Sequence, residues 1–154
     1  MTLRNVRIAA ASALLCCGVA VQAQTASERE QVRALIWKKE LANYAGRATT
    51  AGLQNYIDNI GNDYLVWPPG RSVPLHADEL KAQNAAAPKG DKESLTITLT
   101  GFTMHDGTAV IFYSSHKTTT ATGAPVDERY DTIHVWSRYG SDWKLISGLA
   151  RRTK

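Results

Sequence analysis

Of 154 residues, 18 are Lys or Arg and 14 are Asp or Glu, giving a formal net charge of +4. A balance this close to neutral excludes a strongly basic polyanion-binding protein. The length suits one compact domain with a sizeable core.

The chain opens with Arg4 and Arg7, no acidic residue before Ala23, an apolar stretch from Ile8 to Val21, and the ending Val21-Gln22-Ala23. A basic start, an apolar middle and a small-residue end predict a secretory signal over residues 1–23, cleaved after Ala23. The apolar run is shorter than the roughly 20 residues that span a bilayer. Cleavage takes 23 of the 154 residues, leaving residues 24–154 as a single domain, and the two lost arginines bring the net charge to +2. Both cysteines, Cys16 and Cys17, fall in the signal, so no disulfide, cysteine nucleophile or thiolate site is expected after cleavage. Leu15 before Cys16, and Cys16 before Cys17, stand where a lipid-anchor signal needs small residues. A periplasmic or secreted protein without membrane association is therefore expected.

Helical signals follow. Ser27 and Glu30 read as a capping box ahead of a long amphipathic run. Its apolar positions are Val32, Leu35 and Ile36, then Trp37, Leu41, Tyr44 and Ala48. Thr50 reads as the cap of a second helix with Leu53, Tyr56, Ile57 and Ile60 inward and Gly61 as its stop. A strand from Tyr64 to Trp67 ends at Pro68-Pro69-Gly70, and Asp78 caps a third short helix through Ala87.

From Ser94 the pattern turns to strands. Thr96 to Thr100 alternates with period two, and Asp106-Gly107 is a two-residue hairpin turn. If His105 faces Thr108, then Thr103 pairs Val110, Gly101 pairs Phe112, Leu99 pairs Ser114 and Ile97 pairs His116. One face of this ribbon carries Leu95, Ile97, Leu99, Val110, Phe112, Ser114 and His116; the other carries Phe102, Met104, Ile111 and Tyr113. Thr118 to Thr122 reads as strand. After Gly123-Ala124-Pro125, a strand from Arg129 to Arg138 places Tyr130, Thr132, His134 and Trp136 on one face, with Asp131, Ile133 and Val135 on the other. A last strand runs from Trp143 to about Ala150, and Arg151, Arg152 and Lys154 form a small solvated tail. Helices first and a curved antiparallel sheet afterwards is an α+β layout.

Trp67-Pro68-Pro69-Gly70 after the second helix, Gly140-Ser141-Asp142-Trp143 near the end, and the order of elements across Ser27 to Arg151 resemble the SnoaL-like branch of the nuclear transport factor 2-like superfamily. The resemblance implies a conical barrel: a strongly curved, mainly antiparallel sheet wrapped around a long N-terminal helix, with two shorter helices. It also implies a pocket between sheet and helix and frequent dimerisation through the convex sheet face. Steroid isomerases, dehydratases and polyketide cyclases share this architecture with domains that have no known activity, so the fold does not settle the function.

The isomerases of that superfamily use a carboxylate base with a tyrosine and a protonated aspartate. By ungapped comparison, Tyr44 falls near the oxyanion tyrosine, His134 near the aspartate, and Trp67 or Pro68 at the base. Neither Trp67 nor Pro68 can accept a proton, which argues against isomerase chemistry. His134 and Tyr44 are the candidate catalytic pair for any other acid–base reaction; a hydrogen-bonded core histidine is the alternative. His76, His105, His116 and His134 show no metal-ligand spacing, and neither a phosphate loop nor a nucleophile elbow occurs. No metal or cofactor is expected.

Candidate ligand contacts are Trp37, Tyr44, Tyr56, Tyr64, Trp67, Leu99, Phe112, Ser114, His116, Tyr130, His134 and Trp136, an apolar lining with a few polar tips. A filled aromatic core is the other reading of the same residues. The opposite face, with Phe102, Met104, Ile111, Tyr113, Ile133 and Val135, has no helix to cover it and predicts a homodimer. Three function classes stay open: a non-catalytic binder of a small apolar or aromatic molecule, a lyase-, isomerase- or cyclase-type enzyme, and a dimeric interaction domain. No nucleic-acid partner is expected.

Overall fold

The computed structural model describes residues 13–153, with side chains from residue 26 onward. Residues 1–12 of the predicted signal, and the side chains of the rest of it including Cys16 and Cys17, lie outside the described residues. Two compact units are present, Met1–Arg33 and Ala34–Lys154. In the first, helix α1 (Ala13–Tyr44) is already formed, so Ser27 lies inside a helix and does not cap one. Its hydroxyl accepts from Gln31 Nε2 at 3.4 Å, and the preceding residues Val21 to Ala26 contain no breaker that would start a new helix there.

The second unit holds the rest of α1, helix α2 (Thr50–Asn59), strand β1 (Ile60–Trp67), the short strand β2 (Leu75–His76), helix α3 (Ala77–Ala86), and strands β3 (Ser94–His105), β4 (Thr108–Thr119), β5 (Pro125–Tyr139) and β6 (Asp142–Thr153). Thr49, one residue before the predicted cap, starts α2: its side chain accepts from Gly52 N–H at 3.1 Å. Gly46 at φ +62° turns the chain between the two helices. Gly61 does not end α2; it lies inside β1, which begins at Ile60. His76 precedes α3, and its backbone N–H donates to Glu79 Oε2 at 2.9 Å.

The six strands form one sheet in the order β2-β1-β6-β5-β4-β3. Every pairing is antiparallel except β1 with β6, so the α+β class and the mainly antiparallel sheet expected from the sequence are present. The Asp106-Gly107 turn joins His105 to Thr108 as predicted, with Asp106 at φ +50°. Gly101 faces Phe112, whose ring stands 3.3 Å from where a Cβ on Gly101 would be.

Beyond Gly101 the predicted register fails. The register shifts between Leu99 and Gly101, so Thr100 is bulged and Leu99 pairs Tyr113 rather than Ser114. Ile97 pairs Ser115 rather than His116. A bulge between Val135 and Trp136 similarly shifts β5 against β6, and such bulges bend the sheet. Strand β4 ends at Thr119, so Thr120 to Ala124 is a turn and not strand; Thr120 N–H donates to Ala124 O at 2.9 Å and Gly123 takes φ +93°. Strand β6 runs on through Thr153, which puts Arg151 and Arg152 in the sheet rather than in a free tail.

The buried face of the sheet carries Ala109, Ile111 and Tyr113 from β4, Thr132, His134 and Trp136 from β5, Trp143 and Leu145 from β6, and Tyr64 and Val66 from β1. Ile36, Glu40 and Asn43 are the buried positions of α1 in this unit, spaced by four and three residues as one helical stripe requires. The outer face carries Val110 and Phe112 beside Ile133 and Val135, with Leu65, Trp67 and Leu149 exposed.

Candidate functional site

Strand β4 decides which side chains can meet at the site. Ile111 pairs His134 and Tyr113 pairs Thr132, so Ile111 and Tyr113 share the buried face with His134. Phe112 pairs Ile133, Ser114 pairs Asp131 and His116 pairs Arg129, all on the outer face. The predicted face assignment of β4 is therefore inverted: Phe112, Ser114 and His116 do not face His134, and Phe102, Met104, Ile111 and Tyr113 are not on the convex side. His116 instead bonds Asp127 Oδ1 at 2.7 Å. The run Ala109 to Tyr113 is apolar on both faces, so alternation could not choose between them. Pairing with β5 does.

At the centre of the buried face stands Glu40, 0 % exposed. Its Oε1 accepts from Trp136 Nε1 at 2.8 Å and from His134 Nδ1 at 2.8 Å. Those two donors lie two residues apart on β5, on the same face, while Glu40 comes from α1. A carboxylate can only accept, so His134 Nδ1 donates to Glu40, and the other ring nitrogen, Nε2, lies 3.5 Å from Tyr113 Oη. Oε2 of Glu40 has no partner.

Around the imidazole lies a chain of phenols. Tyr113 Oη is 3.1 Å from His134 Nδ1 and 3.0 Å from Tyr44 Oη. The Tyr113 ring meets His134 and Tyr44 edge to face, at centroid distances of 5.4 and 5.7 Å. Tyr56 and Tyr64 bond each other at 3.1 Å. Burial pushes all four phenols above their ordinary value, and for Tyr113 and Tyr64 neighbouring tyrosines and Glu40 add to it. All four therefore stay protonated: in each tyrosine pair one hydroxyl donates and the other accepts, and none serves as a base.

Beside this cluster a cavity of about 620 Å³ opens, walled by Asn43, Tyr44, Tyr56, Val66, Thr132, His134 and Ala150, with Arg47, Lys89, Glu93 and Lys117 nearer α3 and the β4–β5 turn. Arg47 pairs Glu93 at 3.3 Å and its guanidinium lies 4.9 Å over the Tyr44 ring. Lys117 pairs Glu128 at 2.5 Å. His134, 6 % exposed, keeps its place against Gly148 because no larger residue fits there: a Cβ would stand 2.7 Å from the ring.

Of the residues singled out in the sequence, Tyr44, Tyr56 and His134 line this cavity. Tyr64 and Trp136 are buried behind it, and Trp37 packs on Tyr113 at 6.2 Å. Leu99 and Tyr130 are half-buried and do not line it. Trp67, 44 % exposed, lies on the outer face with its indole N–H on Arg71 O at 2.8 Å, in a separate shallow groove with Leu149 and Arg151. Pro68 borders the cavity. Asp131 pairs Arg151 at 2.9 Å on the face opposite His134, as strand geometry predicts. Glu40 and Asn43 are the residues the sequence reading missed.

Similarity to solved structures fixes the architecture. A nuclear transport factor 2-like protein from Cytophaga hutchinsonii superposes with TM-score 0.62 at 15% identity, covering 81% of this chain and 98% of its own. A ketosteroid isomerase-like protein from Erwinia carotovora atroseptica gives 0.58 at 16% identity over 75% and 93%. The CaMKII hub of S. rosetta gives 0.64 at 17% identity over 77% and 94%. No protein-family model and no curated protein matches the sequence. The fold is the nuclear transport factor 2-like fold, and identities this low carry the fold alone.

Proposed function

We propose that this chain is an exported binding domain that holds a small apolar or aromatic molecule in the cavity beside His134, without isomerase chemistry. The observation that carries the reading is the cavity itself. At about 620 Å³, with Tyr44, Tyr56, Thr132 and His134 set among apolar neighbours, it matches the size and lining of small-molecule sites. A filled aromatic core would leave no such space. Export rests on the basic start, apolar run and small-residue end of residues 1–23. Homodimerisation rests on the apolar outer sheet face.

The test is a calorimetric titration of protein purified from the periplasm, with Gln24 verified as its first residue, against steroids, bicyclic aromatics and short acyl compounds. Saturable binding to one class is expected, together with its loss in Ala150→Phe, which fills the cavity from β6. A flat response across all three classes would overturn the reading. A second reading, acid–base catalysis, is favoured by one observation: His134, oriented by Glu40 through Nδ1, stands on the cavity wall beside the Tyr113 hydroxyl. Turnover of the bound compound that stops in His134→Gln while binding persists would establish it.

A further inference from the structure

Asn43 lies one helical turn from Glu40 and is 2 % exposed. Its carboxamide has only one orientation open to it. Lys39 Nζ donates to Asn59 Oδ1 at 2.9 Å, and a lysine can only donate, which fixes the oxygen of Asn59. The nitrogen of Asn59 therefore donates to Asn55 O at 3.0 Å and to Asn43 Oδ1 at 2.7 Å. Asn43 must turn its oxygen toward Asn59, and its Nδ2 is left on the other side without a partner.

A buried N–H with no acceptor is destabilising, because it has given up water and gained nothing in exchange. Folded proteins seldom carry such groups without a bound molecule or an ordered water to meet them. Asn43 belongs to the wall of the cavity, and that wall is rich in donors. Tyr44 and Tyr56 contribute hydroxyls, and Arg47, Lys89 and Lys117 contribute cationic groups. The single lining carboxylate, Glu93, is already paired with Arg47, and Lys117 is paired with Glu128.

We propose that Asn43 Nδ2 is the anchor for a hydrogen-bond-accepting oxygen of the ligand, and that the cavity takes apolar molecules bearing a carbonyl or carboxylate. Hydrocarbons leave the donor unmet, and so do ammonium compounds, which can only donate. The inference rests on the cavity being a binding site, and it adds the chemical class and the residue that reads it.

The experiment compares 1-indanone, indane and 1-aminoindane on the isotopically labelled wild-type protein, following both affinity and the side-chain amide resonances of Asn43. One hydrogen bond to the ketone oxygen gives 1-indanone a roughly threefold to tenfold advantage over indane, with the Asn43 amide pair shifting as it binds. The amine binds more weakly than either. In Asn43→Leu the preference disappears while indane keeps its affinity, and the wild-type comparison decides the matter even if that variant does not fold. Equal affinity for ketone and hydrocarbon, or an Asn43 amide that does not move while 1-indanone binds, overturns the assignment and leaves the cavity as a purely apolar site. Failure of all three compounds to bind overturns the cavity reading and this inference with it.

Discussion

Glu40 is where the chemistry of single residues departs furthest from what the sequence advertises. In Lys38-Lys39-Glu40-Leu41 it reads as one more charge on the solvent side of an amphipathic helix, and Leu41 as its buried neighbour. In the fold the roles are exchanged: Leu41 is exposed and Glu40 is sealed under the sheet. The signal that explains it lies on β5, where His134 and Trp136 present two donors on one face at the spacing one carboxylate oxygen can receive. No local pattern announces a pairing across more than ninety positions of sequence. Tyr44 and His134, by contrast, were legible because an aromatic on a helix face and a histidine on a strand face keep their sides whatever the register of the neighbouring strand. Removing the carboxylate should be costly, since the indole and imidazole N–H groups would be buried unpaired. Glu40→Ala is expected to lower the unfolding free energy by about 3 kcal/mol, measured from the urea midpoint at constant m-value. Glu40→Gln, which keeps an acceptor oxygen, should lose clearly less. If Glu40→Ala unfolds at the wild-type urea concentration, the pair is not holding α1 to the sheet.

Among the elements, α1, α2 and the start of β6 are tied together by one small polar cluster. Lys39 on α1 bonds Asp142 Oδ1 at 3.0 Å and Asn59 Oδ1 at 2.9 Å. Lys144 on β6 reaches Asp142 Oδ2 at 3.2 Å and the Asp58 carbonyl at the end of α2 at 2.7 Å. Burial works against the Asp142 carboxylate, but hydrogen bonds from Lys39, the Trp143 backbone N–H and Lys144 outweigh it and bring its pKa to about 2. The sign follows directly. A carboxyl held lower in the folded than in the unfolded chain adds stability above its unfolded value, about 3.9, and loses it as the pH falls toward 2. Asp142→Asn should therefore be less stable than wild type at pH 5, and the gap should close as the pH falls from about 4 toward 2. Thermal midpoints at half-unit pH steps would show it; a gap that stays constant to pH 2 would mean the carboxylate contributes no charge interaction. The cluster also orients Asn59, and through it the carboxamide of Asn43. Element order and class could be read from periodicity and turn residues, because the Asp106-Gly107 turn, the Pro68-Pro69-Gly70 stop and the helical spacings are local. The bulge at Thr100 could not. It depends on how strongly β3 must bend to follow β4 around the core, and one extra residue there moves Leu95, Ile97 and Leu99 to the opposite partners.

For the molecule as a whole, correcting β4 changes which surface a second copy would cover. Ile111 and Tyr113, expected on the outside, are buried against the helix side of the sheet, so a charge at Ile111 would test the core and not an interface. The outer face is still apolar without them. Val110 and Phe112 stand beside Ile133 and Val135, and Leu149, Leu65 and Trp67 extend the patch across β6 and β1, with Leu149 and Trp67 each 44 % exposed. A contiguous apolar surface spanning four strands is what a two-fold interface needs, since the same patch must serve both partners. On the homodimer reading, Val135→Glu sets two like charges near the middle of that interface, while the side chain points away from His134 and the cavity. The expected result is a shift from dimer to monomer in sedimentation equilibrium, with ligand affinity and the urea midpoint of the monomer little changed. Leu149→Glu, nearer the β1 edge, should weaken association less. A wild-type protein that sediments as a monomer at high micromolar concentration would overturn the dimer and leave the outer face to a different partner. A Val135→Glu dimer of undiminished strength would place the interface on another surface of the same fold.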